Sequence, residues 1–332
     1  MSQNNSDSNN NNSNTTIINA RNGSRAKYFV WTHKHSEGEG QNKDLEATSD
    51  RVRESKQTGN LSEGIMMTSV PKVPSLVRQF MAELLGTFLV VYLGDGAIAQ
   101  VVVGSQTSQA FFFSNFLSIA LGYGFALTIG IFVSGGVSGG HLNPAVTLAM
   151  ASIKKCKWKC VPVYMLAQYI GAFFASAILF GVYRDGIMLV EGGYNKTVKT
   201  QGIFASYPSP DINASIASLS FDQILATALL IIIILAVTDG KNMKVISSLV
   251  PLSIGLGLTA IHLSFGVNAG TAINPARDFS PRLFTIIAGY GNEPLTTGNY
   301  FFWIPWILPH VGALLGAFIY EYMIELHHPI DE

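Results

Sequence analysis

The sequence predicts an all-α membrane protein in which six transmembrane helices and two re-entrant half-helices form an inverted 3+3 repeat. Three observations predict it: charge is scarce, six apolar runs approach or exceed twenty residues, and the tripeptide Asn-Pro-Ala occurs twice. The chain has 332 residues, 48% hydrophobic and 13% charged, where soluble domains carry roughly 25% charge. Its 21 basic side chains balance 21 acidic ones, so the basic excess of a nucleic-acid binder is missing. Residues 1–76 hold 17 of the 42 charges and leave 25 for the remaining 256 positions. A soluble enzyme is excluded by that depletion.

Residues 1–75 open with an Asn/Ser tract and build no apolar stretch. They are expected to form a disordered cytosolic tail without the charged-then-apolar pattern of a signal peptide. Apolar runs follow near 80–103, 113–135, 161–183, 220–238, 246–266 and 301–324, each long enough for a hydrocarbon core of about 30 Å. Six spans return both termini to one side. Lys72, Arg78, Lys154, Lys155, Lys157, Lys159, Lys241 and Lys244 fall on that side, against Arg184, Lys196, Lys199 and Arg282 on the other. The positive side is cytosolic. The sequon at Asn22 then stays unmodified, and those at Asn195 and Asn213 lie in an outer loop open to glycosylation. Cys156 and Cys160, in the basic cytosolic segment, are expected as reduced thiols rather than metal ligands.

Two apolar pieces, Asn143 to Ser152 and Asn274 to about Ile287, are too short to cross. Asn143-Pro144-Ala145 and Asn274-Pro275-Ala276 open them, and proline at the first helical position behind a capping asparagine is a helix start. One piece follows the second span and the other the fifth. Glu83-Leu-Leu-Gly-Thr87 in span one is echoed by Gln223-Ile-Leu-Ala-Thr227 in span four. Three spans per copy is an odd number, so the second copy is upside-down. Repeats over 76–203 and 204–328 are expected, their half-helices entering from opposite faces. Gly135, Gly136, Gly139 and Gly140 before the first, and Gly266 and Gly270 before the second, suit tightly turned re-entrant coil. Two helix N-termini meeting at the midplane bring positive dipole ends and free amide donors. They repel cations and orient a neutral polar molecule, with Asn143 and Asn274 as donors.

Gly139-Gly140-His141-Leu142-Asn143-Pro144-Ala145-Val146-Thr147 and Asn274-Pro275-Ala276-Arg277-Asp278-Phe279 resemble the two signature boxes of the aquaporin, or major intrinsic protein, family. Gln168-Tyr169-Ile170-Gly171-Ala172 is also typical, and the likeness covers about 76–328. It implies a passive plasma-membrane channel, a homotetramer in the lipid bilayer with one pore per subunit, with no cofactor, metal or enzymatic chemistry. Asp278, Arg282, Phe204-Ala-Ser-Tyr207-Pro208 and the ending Glu325-Leu-His327-His328-Pro329 resemble the animal aquaglyceroporin branch, which implies water, glycerol and other small neutral solutes such as urea.

Ungapped counts from the two boxes place Tyr123, His262, Thr271 and Arg277 at the selectivity filter. Glycerol channels usually carry Gly or Ala where His262 stands, so the imidazole argues for narrowing and gives a water-selective channel as the alternative. By resemblance, backbone carbonyls of Gly139, Gly140, His141, Gly270, Thr271 and Ala272 form an acceptor ladder, and His141 is a structural hydrogen-bonder. Glu83 braces the first coil and Gln223, beside Asp222, braces the second without charge. Arg277 is expected to be the one charge in the pore. A secondary active transporter also uses inverted half-helices, but the centre offers two neutral asparagines and no carboxylate. A scaffold with a closed pore is the remaining class.

Overall fold

The computed structural model describes residues 73–108, 110, 115–193 and 197–329. The N-terminal tail, the Asn22 sequon and Asn195 therefore lie outside the described residues. Among the described residues every element is helical, and six helices are long and apolar enough to cross a membrane.

Helix α1 spans Ser75–Gly104 and α2 spans Phe116–Ser138, its start capped by the Asn115 side chain accepting from the Leu117 amide. The first half-helix, α3, covers Pro144–Ser152. A single 3₁₀ turn, Trp158–Cys160, leads into α4, Val161–Glu191, which Gly192 ends in the left-handed conformation. A short α5, Val198–Gln201, precedes α6, Ile216–Thr238, which Ser215 caps. Helix α7 covers Val250–Ala269 and the second half-helix, α8, Pro275–Thr285. A π-turn over Ile286–Tyr290 and an interrupted α9, Glu293–Tyr300, lead to α10, Trp303–Met323. Span five starts four residues later than the apolar run, because Pro251 belongs in a first helical turn. At 1.5 Å per residue, the nine and eleven residues of α3 and α8 reach about halfway across a bilayer core.

Six crossings bring Ser75 and His327 to one side, the terminal face. The repeat is visible in the packing. Helix α1 packs on α2 and α4, as α6 packs on α7 and α10, and α2 packs on α7 across the centre. Half-helix α8 packs mainly on α4, and α3 mainly on α10, so each leans on the last span of the other copy. Close crossings rest on matched glycines. A Cβ on Gly171 of α4 would collide with the Leu84 carbonyl, and one on Gly312 of α10 with the Ile224 carbonyl. At the α2–α7 crossing, Gly124 meets Thr259 while Gly255 meets Thr128. Small residues let such backbones approach. Phe125, Phe132, Phe174, Phe221 and Phe318 point outward and are more than half exposed, as a lipid-facing surface requires.

Candidate pore

The site begins with two chain reversals. Gly139 and Gly140 take positive φ of 92° and 67°, and Gly270 takes 67°, conformations that cost glycine nothing. The residues before the two asparagines, Leu142 at φ 53° and Ile273 at φ 33°, also turn left-handed. For a β-branched isoleucine that is a strained backbone, of a kind that clusters at functional sites. Its consequence is visible: the Asn143 Nδ2 donates to the Ile273 carbonyl at 2.9 Å, and the Asn274 Nδ2 donates to the Leu142 carbonyl at 2.9 Å. The Asn143 Oδ1 accepts from the Ala145 amide and the Asn274 Oδ1 from Ala276 and Arg277. Each side chain thus caps its own half-helix and ties to the other copy. An amide nitrogen carries two protons, so each asparagine keeps one donor beyond that tie.

Each coil is held by a buried side chain of the first helix of its copy. Glu83, fully buried in α1, accepts from the His141 amide at 3.0 Å, the Leu142 amide at 2.7 Å, Gln168 Nε2 at 2.8 Å and the Ser138 hydroxyl at 2.5 Å. Gln223 donates to the Gly270 carbonyl at 3.1 Å and accepts from the Ile273 amide at 3.3 Å. His141 meets the Thr147 hydroxyl at 3.2 Å and packs edge-on against Tyr164. Asp222 is buried beside Gln223 but takes no part in the brace.

A cavity of about 360 Å³ enters past Lys155 and Thr238 at the terminal face and reaches Tyr123, His262, Thr271 and Arg277. A second cavity of about 470 Å³ opens from the same four residues toward Tyr207 and Pro208. The four side chains therefore stand between the two cavities and line both. Gly139, Gly140, His141, Thr271 and Ala272 line the first cavity, with Asn143 and Asn274 beside them and Leu127, Leu230 and Leu258 supplying apolar wall. Gly270 departs from the expected ladder: it lines the second cavity, and its carbonyl is held by Gln223.

The ring at the junction is ordered by contacts. Tyr123 stacks on His262 with centroids 5.0 Å apart, and the Arg277 guanidinium lies 5.1 Å from the Tyr123 centroid. The His262 Nδ1 lies 3.0 Å from the Leu258 carbonyl. A carbonyl only accepts, so Nδ1 carries the proton and Nε2 faces away as an acceptor in the neutral ring. The Thr271 hydroxyl and the Nε and Nη1 of Arg277 form no protein hydrogen bond. The ring thus gathers one acceptor and several donors that form no protein hydrogen bond.

Arg282 is fully buried, donating to Asp278 at 2.8 and 3.0 Å, to the Pro294 carbonyl at 2.7 Å and to the Ser206 carbonyl at 2.6 Å. Asp278 also accepts from the Ser206 amide at 2.8 Å, and Arg282 lies 4.4 Å from the Tyr207 ring. The pair clamps the segment that forms the mouth. Arg277 has a charged neighbour behind the ring: Asp95 of α1, fully buried, lies 3.5 Å from its Nη2 and accepts from the Tyr123 hydroxyl. Sequence reasoning missed Asp95; the available signal was a carboxylate inside an apolar span.

With this geometry in hand, residues 70–320 match the family described as Major intrinsic protein. Aquaporin-9 of Homo sapiens is 44% identical over 258 residues, which cover 77% of this chain and 85% of that protein. Aquaporin-10 of Homo sapiens is 42% identical over 258 residues, covering 76% and 83%. The crystal structure of the aquaglyceroporin from Plasmodium falciparum superposes with a TM-score of 0.67 at 32% identity, covering 76% of this chain and 98% of that one.

Proposed function

The chain belongs to the major intrinsic protein family, and from that premise we propose that it is a passive, multi-pass membrane channel for water and small neutral solutes including glycerol. The aquaglyceroporin relatives disfavour the water-only alternative raised by His262. One observation carries the reading: two opposed half-helices meet inside a continuous cavity, their asparagines tied reciprocally across the joint. Each half-helix aims a positive dipole end at the centre, which opposes cations. Asn143 and Asn274 each offer a proton to a passing oxygen, so a molecule there donates away from the centre and a continuous proton wire is broken.

Tyr123, His262, Thr271 and Arg277 form the selectivity filter. The Arg277 donors and the His262 acceptor replace hydration on one side of a solute while the Tyr123 face takes its carbon side. Glu83, by accepting the His141 and Leu142 amides, turns the carbonyls of the first coil toward the lumen, Gln223 fixes the second coil through Gly270 and Ile273, and Asp278 with Arg282 holds the outer mouth open. The lysines at 154–159 set the terminal face toward the cytosol. The repeats cover 76–203 and 204–328, the assembly is a homotetramer, and the location is the plasma membrane.

The test is stopped-flow swelling of proteoliposomes, without any ion gradient, for the natural chain and for His262→Gly. Water and glycerol both pass without saturation, and the substitution raises glycerol flux. Saturable or gradient-dependent flux returns the transporter reading, and no flux at all returns the scaffold. Free glycerol passage that His262→Gly leaves unchanged removes His262 from the constriction.

A further inference from the structure

We propose that Asp95 is the counter-ion of Arg277 and the anchor of Tyr123, a positioning residue that sets the solute cut-off of the filter. The inference rests on the channel reading given above. Asp95 lies in Gly94-Asp95-Gly96 of α1 and is fully buried. One carboxylate oxygen accepts from the Tyr123 hydroxyl and faces Arg277 Nη2 at 3.5 Å, while the other forms no protein hydrogen bond. The slot is built for this contact. A Cβ on Gly94 would collide with the Tyr123 ring, so glycine there lets the ring lie against α1 and its hydroxyl reach the next residue.

Asp95 is not part of the scaffold that the two copies share. The shift that carries Glu83 to Gln223 and Leu84 to Ile224 carries Asp95 to Leu235, a buried apolar residue. A lone carboxylate at membrane depth is costly and is kept where it is paired. Its partner here is the arginine of the ring. The ring consequently holds a balanced ion pair rather than a single positive charge.

The same carboxylate fixes three of the four ring residues. It holds Nη2 of Arg277 toward α1, while Nε and Nη1 are buried and form no protein hydrogen bond. It pins the Tyr123 hydroxyl, and so the face that stacks on His262 at 5.0 Å. The other nearby carboxylate, Asp278, stands 3.9 Å from Arg277 and is already engaged with Arg282 and the Ser206 amide. Without Asp95 the guanidinium turns toward the lumen and the Tyr123 ring loses its tether. Both movements narrow the passage for a three-carbon polyol more than for water.

Two measurements test this. In proteoliposomes with the reconstituted amount determined, Asp95→Asn lowers the glycerol-to-water permeability ratio at least about threefold, because the wider solute loses more clearance. Tyr123→Phe, which removes only the tether, lowers it less; because an asparagine Oδ1 can still accept from the Tyr123 hydroxyl, the double variant lowers it further than Asp95→Asn alone. An unchanged ratio in Asp95→Asn overturns the proposal. So does an equal loss of both fluxes, which marks a merely structural role. Should Asp95→Asn fail to assemble, an unchanged ratio in Tyr123→Phe overturns the anchor.

The second measurement is a thermal-unfolding cycle of detergent-solubilised Asp95→Asn, Arg277→Gln and their combination. Coupling predicts that the double variant loses less than the sum of the single losses. Additive losses overturn the ion pair. This cycle is read whether or not the natural chain conducts, so a coupled pair in a non-conducting protein refutes the channel reading alone.

Discussion

Replacing Glu83 with glutamine tests whether the first re-entrant coil depends on a charge. Oε1 of Glu83 accepts from the Ser138 hydroxyl and the His141 amide, and Oε2 from the Leu142 amide and Gln168 Nε2. An amide offers only one acceptor oxygen. If its NH₂ replaces Oε2, it faces two donors. If the amide flips, Ser138 can rotate to accept, but the His141 amide still meets a donor. At least one buried N–H is left unpaired, at about 1–3 kcal/mol, and the surviving bonds fall from charge-assisted to neutral strength. The expected loss is roughly 2–5 kcal/mol, which lowers a thermal midpoint by about 2–4 °C per kcal/mol in a body of this size. The assay is fluorescence-detected unfolding in detergent, with swelling assays on the folded fraction. Gln223→Ala is the comparison, because it removes two neutral bonds and costs about 1–3 kcal/mol. A Glu83→Gln midpoint equal to that of the natural chain refutes the charged brace, since a neutral acid would be replaced without loss.

Two further outcomes follow from the packing and the terminal face. Gly171→Val and Gly312→Val push a side chain into the Leu84 and Ile224 carbonyls, backbone atoms that cannot turn aside, so both abolish a monodisperse peak in size-exclusion chromatography. Gly181→Ala, whose added Cβ meets nothing within 4 Å, leaves that peak intact. At the terminal face, burial pushes the Asp239 carboxyl up, but bonds from His328, the Lys241 amide and Tyr320 outweigh it and hold it at about 2. A carboxyl held low in the folded state stabilises above about pH 4 and loses that contribution as pH falls toward 2. The melting midpoint of the natural chain therefore falls more steeply below about pH 4 than that of Asp239→Asn, and parallel curves exclude Asp239 as the cause.

The sequence made the half-helices, the braces and the filter positions legible because each follows from local chemistry. Asn-Pro-Ala twice fixes two helix starts, glycines mark the coils, and ungapped counting along regular helices carries Tyr123 and His262 to the lumen. What stayed hidden depends on contacts between elements distant in the chain. Asp95 reads as one acid in an apolar run until Tyr123 and Arg277 are placed across the bundle from it. Asp278 and Arg282 have the spacing of an exposed helix pair and are buried only because the segment through Ser206 and Tyr207 folds over them. The left-handed turns at Leu142 and Ile273 have no compositional signal. Their carbonyls are the ones that the asparagine of the opposite copy meets, a contact visible only once the two copies are packed together.

Under the proposed channel function, the repeat also accounts for selection at one end of the lumen and not at the other. The shift that carries Asn143 to Asn274 also carries Gly124 to Gly255 and Thr128 to Thr259, the residues that interlock at the α2–α7 crossing. Applied to the filter, it pairs Tyr123 with Ile254, His262 with Ile131, Arg277 with Val146 and Thr271 with Gly140. All eight residues line the same cavity. Each polar or aromatic member of the outer ring thus has an aliphatic or glycine counterpart on the terminal side. Positions that build the scaffold are alike in both copies: the asparagines, the crossing glycines and threonines, and the brace. Positions that touch solute diverge. A ring of Ile131, Val146 and Ile254 offers no hydrogen bond and takes no toll of desolvated donors, so it guides solute without discriminating. Discrimination then falls on one ring, and the charge that makes it selective needs a buried carboxylate on one side only. Asp95 has the apolar Leu235 as its counterpart and Arg277 has Val146, so the counter-ion and the ion, one from each copy, occur together at the one end of the lumen that uses them.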